Sequence, residues 1–272
     1  MRGWNKPCEI EDFADQHVSD AIRRVFPSDA AYGAYRKHWE IAMVVLAAEN
    51  LLAESTHSRA LGVGAGTEAS NFYLTNLFDE VIATDLYRSV GWPFDSPVDM
   101  IEHPERYARD TPFRAERLRV HHMDGRRLEF EDASFDFIYS CGSIEHFGSF
   151  DDIAQAAREM GRTLRPGGVI AISTELCVAG DAGYLQPDTL LLDVRMLREL
   201  IVEPSGCRPV DELCPSPSRA TLAAPVHFGA AGLDRVQMHY SGRRHWSQYP
   251  HIVIQDGTRA WTSFHLTLRK ES

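Results

Sequence analysis

Short apolar runs recur through the middle of the chain and are separated by amphipathic segments. Five of these runs have the length and character of buried strands: about 59–63, 80–84, 118–122, 135–140 and 168–173. Helical periodicity lies between some of them, at about 67–77 and 150–164. The alternation predicts an α/β fold with a parallel sheet, right-handed crossovers and helices on both faces. Near the end, apolar runs on either side of an Asp-Gly turn at 255–257 predict a hairpin.

Three segments lie outside this alternating pattern. Residues 1–57 contain two predicted helices, at about 8–24 and 30–53, and form a predicted N-terminal helical cap. Residues 58–272 form the predicted main domain, which carries long insertions at 86–117 and 175–225. Loops of this length in a compact domain are typical of lids and binding loops. We therefore expect substrate specificity to reside in residues 1–57, 86–117 and 175–250.

Composition and charge exclude several classes of function. Of the 272 residues, 39 are Asp or Glu and 28 are Lys or Arg, which gives a formal net charge of −11. This acidic balance, without a basic stripe, argues against binding to nucleic acid or to an anionic membrane surface. The five cysteines lack the spacing of a zinc or redox site, so we expect free thiols, no metal centre and a cytoplasmic location. No stretch approaches a membrane span, and a small-molecule partner is expected.

A glycine turn follows the first predicted strand. Residues 60–69 form an apolar run that breaks at Gly64 and Gly66, where the missing Cβ atoms permit a tight turn and close approach of a ligand. Asp85 ends the next predicted strand, nineteen residues after Gly66. In a doubly wound sheet these two strand ends lie side by side, and an acid there can accept hydrogen bonds from both hydroxyls of a ribose. The pattern predicts a site for a cofactor that contains adenosine.

A second acid follows the third predicted strand. Asp124 lies where a carboxylate can accept a hydrogen bond from the exocyclic amine of an adenine. The backbone N–H of Gly125 would donate to a ring nitrogen of the same base. The adjacent Arg126-Arg127 pair is interpreted as a solvated turn. The helix predicted over 67–77 would point its unpaired N-terminal N–H groups at the carboxylate end of the bound ligand.

The order of these motifs resembles that of the class I S-adenosylmethionine-dependent methyltransferases over about residues 58–175. The resemblance also includes the sequence SIEHF at 143–147 and LRPGG at 164–168. It implies a Rossmann-like, seven-stranded, mostly parallel sheet whose last strand is antiparallel, with S-adenosyl-L-methionine as the cofactor. It also implies cofactor contacts: Gly64, Ala65 and Gly66 at the methionine part, Asp85 at the ribose, Asp124 and Gly125 at the adenine, with Leu86 and Cys141 as further contacts. A narrower similarity, to methyltransferases associated with sugar- and glycan-modifying genes, rests on residues 39–40 and 83–87.

The same resemblance implies methyl transfer to an oxygen or nitrogen of a small molecule, for which a sugar or another secondary metabolite is a candidate. Because a sulfonium is already a strong electrophile, the protein mainly needs to align the acceptor and exclude water. Glu145 and His146 follow the fourth strand, at the mouth where the acceptor must lie. His146 could remove a proton from the acceptor, or it could shape the loop and pack near the cofactor. Glu145 is the second catalytic candidate.

One position departs from the family pattern. Many relatives carry an acid just before the glycine turn, where this chain has Gly62. The amino-acid end of the cofactor must then be held differently, and Glu68 is a candidate to compensate. The departure leaves open a second hypothesis, a cofactor-binding protein without methyltransferase activity that acts as a partner or regulator.

A nicotinamide-dependent oxidoreductase is the third hypothesis, because residues 64–69 also fit the dinucleotide fingerprint. Three features argue against it. A helical segment of almost sixty residues precedes the turn, Asp124 occupies the adenine position of methyltransferases, and the chain ends in a hairpin rather than in a catalytic domain.

Overall fold

Strands from most of the chain meet in one central sheet. The computed structural model describes residues 3–28, 34–52, 58–88, 96–186, 189–223, 225–227 and 251–272. The strands within these ranges are β1 (Lys6–Pro7), β2 (Arg59–Val63), β3 (Glu80–Asp85), β4 (Leu118–His122), β5 (Phe135–Cys141), β6 (Leu164–Ala179), β7 (Gly183–Gln186), β8 (Thr189–Leu191), β9 (Arg208–Pro209), β10 (Val226–His227), β11 (Ile254–Asp256) and β12 (Arg259–Arg269). All except β7 and β8, which form a separate hairpin, belong to the central sheet.

The helices flank this sheet and connect its strands. The α-helices are α1 (Gln16–Val25), α2 (Arg36–Leu51), α3 (Ala69–Tyr73), α4 (Phe150–Thr163), α5 (Val194–Met196), α6 (Glu203–Ser205) and α7 (Arg219–Leu222). A π-helical segment, Leu197–Val202, joins α5 to α6. Short 3-10 turns lie at Ile10–Ala14, Leu74–Asn76, Val98–Met100, Pro104–Tyr107, Ala115–Arg117 and Ile144–His146.

The strand order confirms the predicted mostly parallel sheet with an antiparallel last strand. The order is β10-β11-β12-β6-β5-β2-β3-β4. Strands β2 to β6 are parallel to their neighbours among themselves, and β12 is antiparallel to both β6 and β11. The two-residue strands β1, β9 and β10 extend the predicted seven-stranded arrangement at its β12 side. All the parallel strands therefore end at the same edge of the sheet.

Most predicted elements are present, with some differences in extent. The helix predicted over 67–77 is the short α3, which passes into the 3-10 turn Leu74–Asn76. The continuous helix predicted over 8–24 is a 3-10 turn followed by α1, because the Asp15 carboxylate accepts from the His17 N–H at 2.9 Å and begins a new helix. The strand predicted over 168–173 is the much longer β6, which pairs with β12 from Val169 to Ala179. In the insertion at 86–117, residues 89–95 lie outside the described residues, and three 3-10 turns form much of the rest.

Two apolar cores lie on the two faces of the sheet. Alternate side chains of β2 point to opposite faces, so Leu61 belongs to the core beneath α4 and Ala60 to the core beneath α2. Helix α4 begins at a capping box between Ser149 and Asp152 and ends at Thr163, just before β6. Helix α2 is buried over most of its length, including two charged residues, Arg36 and Glu40, whose partners are described below.

Candidate functional site

The glycine turn after β2 is held by backbone geometry that only glycine adopts easily. Gly64 and Gly66 have φ angles of +60° and +48°. A Cβ atom on Gly64 would lie 2.1 Å from the Ser143 Oγ, in the loop after β5. The N–H of Ala65, between the glycines, donates to the Thr84 carbonyl at 2.9 Å. The turn is therefore packed against the ends of both neighbouring strands, β3 and β5.

Asp85, the last residue of β3, is joined directly to this turn. Its Oδ2 accepts from the Gly66 N–H at 2.9 Å, and its Oδ1 lies 3.4 Å from the Tyr87 N–H, which donates to it. The Tyr87 hydroxyl donates back to the Gly66 carbonyl at 3.2 Å. The carboxylate of Asp85 is half-buried, as is Leu86, the next residue. The structure thus brings together the two motifs that the sequence placed nineteen residues apart.

Asp124 lies at the same edge of the sheet, beyond β4. Asp85 pairs with His122 in the register of β3 and β4, and the Met123 N–H donates to the Asp85 carbonyl at 2.9 Å. The Asp124 carboxylate is bound by Arg126, whose Nη2 lies 2.6 Å from Oδ2 and whose Nε lies 2.9 Å from Oδ1. These hydrogen bonds lower the pKa of Asp124. Arg126 also reaches Asp152 at 3.0 Å, so it bridges two acids rather than extending into solvent as a simple turn residue.

Gly125 is tightly enclosed between two other parts of the site. A Cβ atom on Gly125 would lie 2.8 Å from the Val63 Cγ1 at the end of β2, and 2.8 Å from the Phe147 ring. The loops after β2, β4 and β5 therefore meet at this point. Cys141, the last residue of β5, is buried, and burial raises the pKa of its thiol well above the usual value.

The structure gives a physical reason for Gly62. A Cβ atom there would lie 2.6 Å from the Tyr139 Cζ and 2.8 Å from the Ala65 Cβ, so no acid fits without rearrangement. The Tyr139 hydroxyl donates to the Asn71 Oδ1 at 2.7 Å. The Asn71 Nδ2 in turn donates to the Ala65 and Gly66 carbonyls, at 3.0 and 3.1 Å. Tyr139 and Asn71, which the sequence patterns did not reveal, thus support the glycine turn from behind.

Glu145 and His146 lie on a 3-10 turn just after β5. Glu145 is 1% exposed; its Oε2 accepts from the Thr174 Oγ1 at 3.0 Å. Its Oε1 has no hydrogen-bond partner within the part of the chain that the structure describes. His146 is half-buried; its Nε2 lies 4.0 Å from that oxygen, and its Nδ1 lies 3.4 Å from the Thr189 Oγ1 of β8. Burial raises the pKa of Glu145, and the adjacent His146 only partly opposes this effect.

A charged network connects α2 to β6 and β12. It consists of Arg36, Lys37, Glu40, Glu175 and Ser263. Arg36 Nη1 lies 2.7 Å from Glu175 and 3.3 Å from Glu40, and Lys37 Nζ lies 3.0 Å from Glu40 and 3.4 Å from Glu175. Ser263 accepts from Arg36 at 2.7 Å and donates to Glu40. The only sequence signal for this network is the i, i+1, i+4 spacing of three charges within an otherwise apolar helix.

The acids of this network have strongly perturbed proton affinities. Burial alone would raise the pKa of Glu175, but the attraction of Arg36 and Lys37, together with their hydrogen bonds, outweighs burial and lowers it to about 2. The same pairing raises the pKa of Arg36 and of Lys37 above their ordinary values, although burial opposes it. Arg36, Lys37 and Glu175 are therefore all charged at neutral pH.

The network and the loop after β5 approach each other across Gly142. The position of a Cβ atom on Gly142 would be 2.6 Å from the Lys37 Nζ, 3.2 Å from the Glu40 Oε2 and 3.8 Å from the Glu145 Oε1. The Lys37 side chain is 29% exposed, so it forms part of an accessible wall. Glu68 is exposed on its surface, yet desolvation by the surrounding protein raises its pKa to about 7, and the charge of Lys37 opposes this rise. Lys37 and Glu68 are therefore near enough for their charges to interact.

The described ranges contain neither a metal centre nor a membrane-crossing helix. No group of three or more His, Cys, Asp or Glu side chains in them is arranged to hold a metal ion. Likewise, no helix in these ranges combines the length and the apolar character that crossing a membrane requires.

Comparison with known proteins agrees with this geometry. Residues 61–172 match the family model of a methyltransferase domain. Among solved structures, the [4+2]-cyclase SpnF superposes with a TM-score of 0.56 at 15% identity, covering all of both chains. Phosphoethanolamine N-methyltransferase 2 of Haemonchus contortus, solved with S-adenosyl-L-methionine, gives 0.53 at 15% identity and covers 97% of this chain. This chain spans 60% of that protein. YcgJ of Bacillus subtilis gives 0.52 at 14% identity, covering 86% of this chain and all of its own.

Proposed function

We propose that this chain is a class I S-adenosylmethionine-dependent methyltransferase that transfers a methyl group to an oxygen or nitrogen of a small molecule. The observation that supports the site is the convergence of three loops at one edge of the sheet. Gly66 and Met123 both donate to Asp85, one to its carboxylate and one to its carbonyl, at 2.9 Å each. The edge at which parallel strands end is where open α/β sheets bind their ligands.

The residues at this edge fit an adenosine cofactor. The half-buried Asp85 carboxylate would accept the ribose hydroxyls, and Asp124 with the Gly125 N–H would meet the adenine. Asp124 already accepts hydrogen bonds from Arg126, which hold its carboxylate in one orientation. The carboxylate would contact the adenine in that orientation. A carboxylate has about four lone-pair sites and can accept additional donors.

Glu68, Lys37 and the glycine turn are candidates to hold the amino-acid end of the same cofactor. Gly62 leaves no acid at the usual position, and Tyr139 fills the space. Glu68, with a pKa raised to about 7, would be stabilised in its charged form by an ammonium group. Lys37, whose charge interacts with Glu68, would face the carboxylate of the amino acid. We propose that this pair replaces the missing acid.

When bound, S-adenosylmethionine supplies an activated methyl group on a positively charged sulfur. The residues of this chain must align the acceptor with that group and exclude water. Alignment of this kind can lower a barrier by about 7–11 kcal/mol in favourable intramolecular reactions. His146, half-buried after β5 and next to Thr189, is placed to accept a proton from the acceptor. The buried Glu145 lies beside it.

The experiment that tests this function combines binding with turnover. Calorimetry should show that S-adenosylmethionine and S-adenosylhomocysteine bind with similar stoichiometry, and that Asp85→Asn binds both more weakly. Asp132→Asn is the control, because Asp132 is an exposed acid near the opposite ends of the strands. A coupled assay for S-adenosylhomocysteine release should then identify the acceptor in a panel of small alcohols, sugars and amines.

The same experiment separates the alternatives. A [4+2]-cyclase has this fold, so the fold by itself does not require methyl transfer. Cofactor binding without turnover on any acceptor would favour a protein that binds the cofactor but does not transfer methyl groups. Tight binding of NADH, without binding of S-adenosylhomocysteine, would favour an oxidoreductase.

A further inference from the structure

One oxygen of the Glu145 carboxylate lacks a hydrogen-bond partner within the described ranges. Its Oε2 accepts from Thr174 at 3.0 Å, while Oε1 has no hydrogen-bond partner among the residues that the structure describes. Glu145 is 1% exposed, so bulk water does not solvate that oxygen freely. Buried polar atoms in folded proteins nearly always have partners, and an exception calls for a specific explanation.

Leaving aside the titratable His146, the charges around Glu145 are not balanced among the described residues. Arg36 and Lys37 supply two positive charges, and Glu40 and Glu175 already pair with them at 2.7–3.4 Å. When Glu145 is ionised, it adds a third negative charge to this set. The cluster then has a net charge of −1, and a ligand with one positive charge would neutralise it.

The Glu145 Oε1 oxygen lies close to Gly142 and to the partly exposed Lys37. It is 3.8 Å from the position of a Cβ atom on Gly142, which also lies 2.6 Å from the partly exposed Lys37 Nζ. Gly142 comes directly after β5 and follows the buried Cys141 at the cofactor edge of the sheet. The oxygen therefore faces the space between α2 and the loop after β5, next to the proposed cofactor site.

We propose that Glu145 binds the ammonium group of the methyl acceptor, and that the acceptor is accordingly a primary or secondary amine. This inference rests on the proposed function and specifies its substrate class. An amine can donate a charge-assisted hydrogen bond to Oε1 and neutralise the cluster at the same time. A neutral hydroxyl could donate a hydrogen bond, but it would leave the additional buried charge uncompensated.

The carboxylate can also remove the proton that blocks the reaction. An ammonium has no lone pair, so one N–H proton first passes to Glu145, which leaves a neutral amine and a neutral carboxyl group. The nitrogen lone pair then forms the N–C bond as the C–S bond breaks, and the electrons of that bond remain on sulfur. The product leaves as a methylated ammonium, and Glu145 passes its proton to the neighbouring His146, whose Nε2 lies 4.0 Å from Oε1 and which returns it to water. Burial raises the pKa of Glu145, which makes it a stronger proton acceptor than an ordinary carboxylate.

Several groups contact or face Glu145 and would set the pH at which it acts. They are His146 on its own turn, Thr174 and Glu175 on β6, and Lys37 and Glu40 on α2. Glu175 raises the pKa of Glu145 and Lys37 lowers it, so these two effects oppose each other. An ammonium group bound beside Glu145 would lower that pKa further. Binding of the acceptor should therefore change the protonation of Glu145.

The test uses small probes in matched pairs. Methylammonium and ethanolamine are compared with methanol and ethylene glycol, by calorimetry and by chemical-shift titration, with and without saturating S-adenosylhomocysteine. We expect the ammonium probes to bind at least tenfold more tightly than the neutral ones at pH 7.5. Glu145→Gln should abolish this preference while S-adenosylhomocysteine affinity stays within twofold. Glu131→Gln, which removes an exposed acid before β5, should retain the preference.

Each outcome decides the inference. Equal binding of ammonium and neutral probes, no binding of the ammonium probes, or a preference that survives Glu145→Gln would overturn it. If Glu145→Gln fails to fold, Glu145→Asp is measured instead. The shorter side chain keeps the negative charge but places it farther from the bound ammonium, so ammonium binding should weaken at least threefold. Absence of S-adenosylhomocysteine binding would refute the proposed function alone, because the probes are also measured without it.

Discussion

The carboxylate of Asp85 accepts a hydrogen bond from the backbone N–H of Gly66 at 2.9 Å. This hydrogen bond joins the end of β3 to the glycine turn after β2, so the two loops have a fixed separation before any ligand binds. A ribose that donates to the same carboxylate would then meet a preorganised acceptor.

Replacing Asp85 should weaken cofactor binding and leave the fold intact. In Asp85→Asn the side-chain oxygen can still accept from Gly66, but the charge is lost. Because hydrogen bonds to charged groups contribute about 1.5–3 kcal/mol, we expect S-adenosylhomocysteine affinity to fall by roughly that amount, measured by calorimetry. An unchanged dissociation constant would contradict the ribose assignment.

Lys37 should discriminate between cofactor fragments. If it faces the carboxylate of the amino-acid end, Lys37→Met should weaken S-adenosylhomocysteine binding by about tenfold or more, since a charge-assisted hydrogen bond is lost. Binding of 5′-methylthioadenosine, which lacks the amino-acid end, should be unchanged. Equal losses for both ligands would indicate a general effect on folding instead.

His146 should affect turnover more than binding. His146→Gln preserves a polar side chain beside Thr189 but cannot take a proton at neutral pH. Loss of a general base lowers the rate by a factor of about 10²–10⁴, with S-adenosylhomocysteine affinity nearly constant. If His146→Gln lowers the melting temperature but the folded fraction of the variant keeps the unmodified turnover rate, His146 has a structural role.

Gly62 should not tolerate the acid that many relatives carry there. Its Cβ would lie 2.6 Å from Tyr139, and overpacking of this kind costs about 1–3 kcal/mol. Gly62→Asp adds a buried charge and should lose more stability than Gly62→Ala in denaturant unfolding. A stable Gly62→Asp variant with tighter cofactor binding would show that Tyr139 moves aside easily.

His265 should make the protein less stable in mild acid. It is fully buried against Ser173 and Trp39, and burial lowers its pKa to about 3. The unfolded chain binds a proton here below about pH 6.5 and the folded chain does not, so stability falls as pH decreases from 6.5 towards 3.

The slope from this one group approaches 1.4 kcal/mol per pH unit. Between pH 7 and pH 5, the free energy of unfolding of His265→Gln should depend less steeply on pH than that of the unmodified protein, by about that slope. His17→Gln, at an exposed helical position, serves as the control. Equal slopes in all three proteins would show that His265 does not titrate in this way.

The fold was predictable because its signals are local. The run 60–66 contains both a buried strand and the glycines that end it, and strands at the centre of a parallel sheet are apolar throughout. The antiparallel β12 was also accessible, since an Asp-Gly turn precedes it. These features depend on neighbours in sequence, and a single chain displays them.

The charged network was not predictable, because its partners are distant in sequence. Arg36 and Glu175 are 139 residues apart, and nothing in either local sequence identifies the other. The absence of an acid at position 62 likewise follows from a distant residue, because the Tyr139 ring occupies the space that a side chain on Gly62 would need. Such contacts depend on which strands are adjacent and on which faces their side chains point.

Helix α2 has a consequence for how such enzymes could acquire new substrates. Its Arg36 neutralises Glu175 on β6, so an exchange of the N-terminal segment between relatives would leave an uncompensated acid within the sheet. Recombination at the start of β2 would therefore yield viable chimaeras only when residues 175 and 263 changed with it. Diversification of this protein should proceed by coordinated substitutions across both halves, and not by shuffling of an independent module.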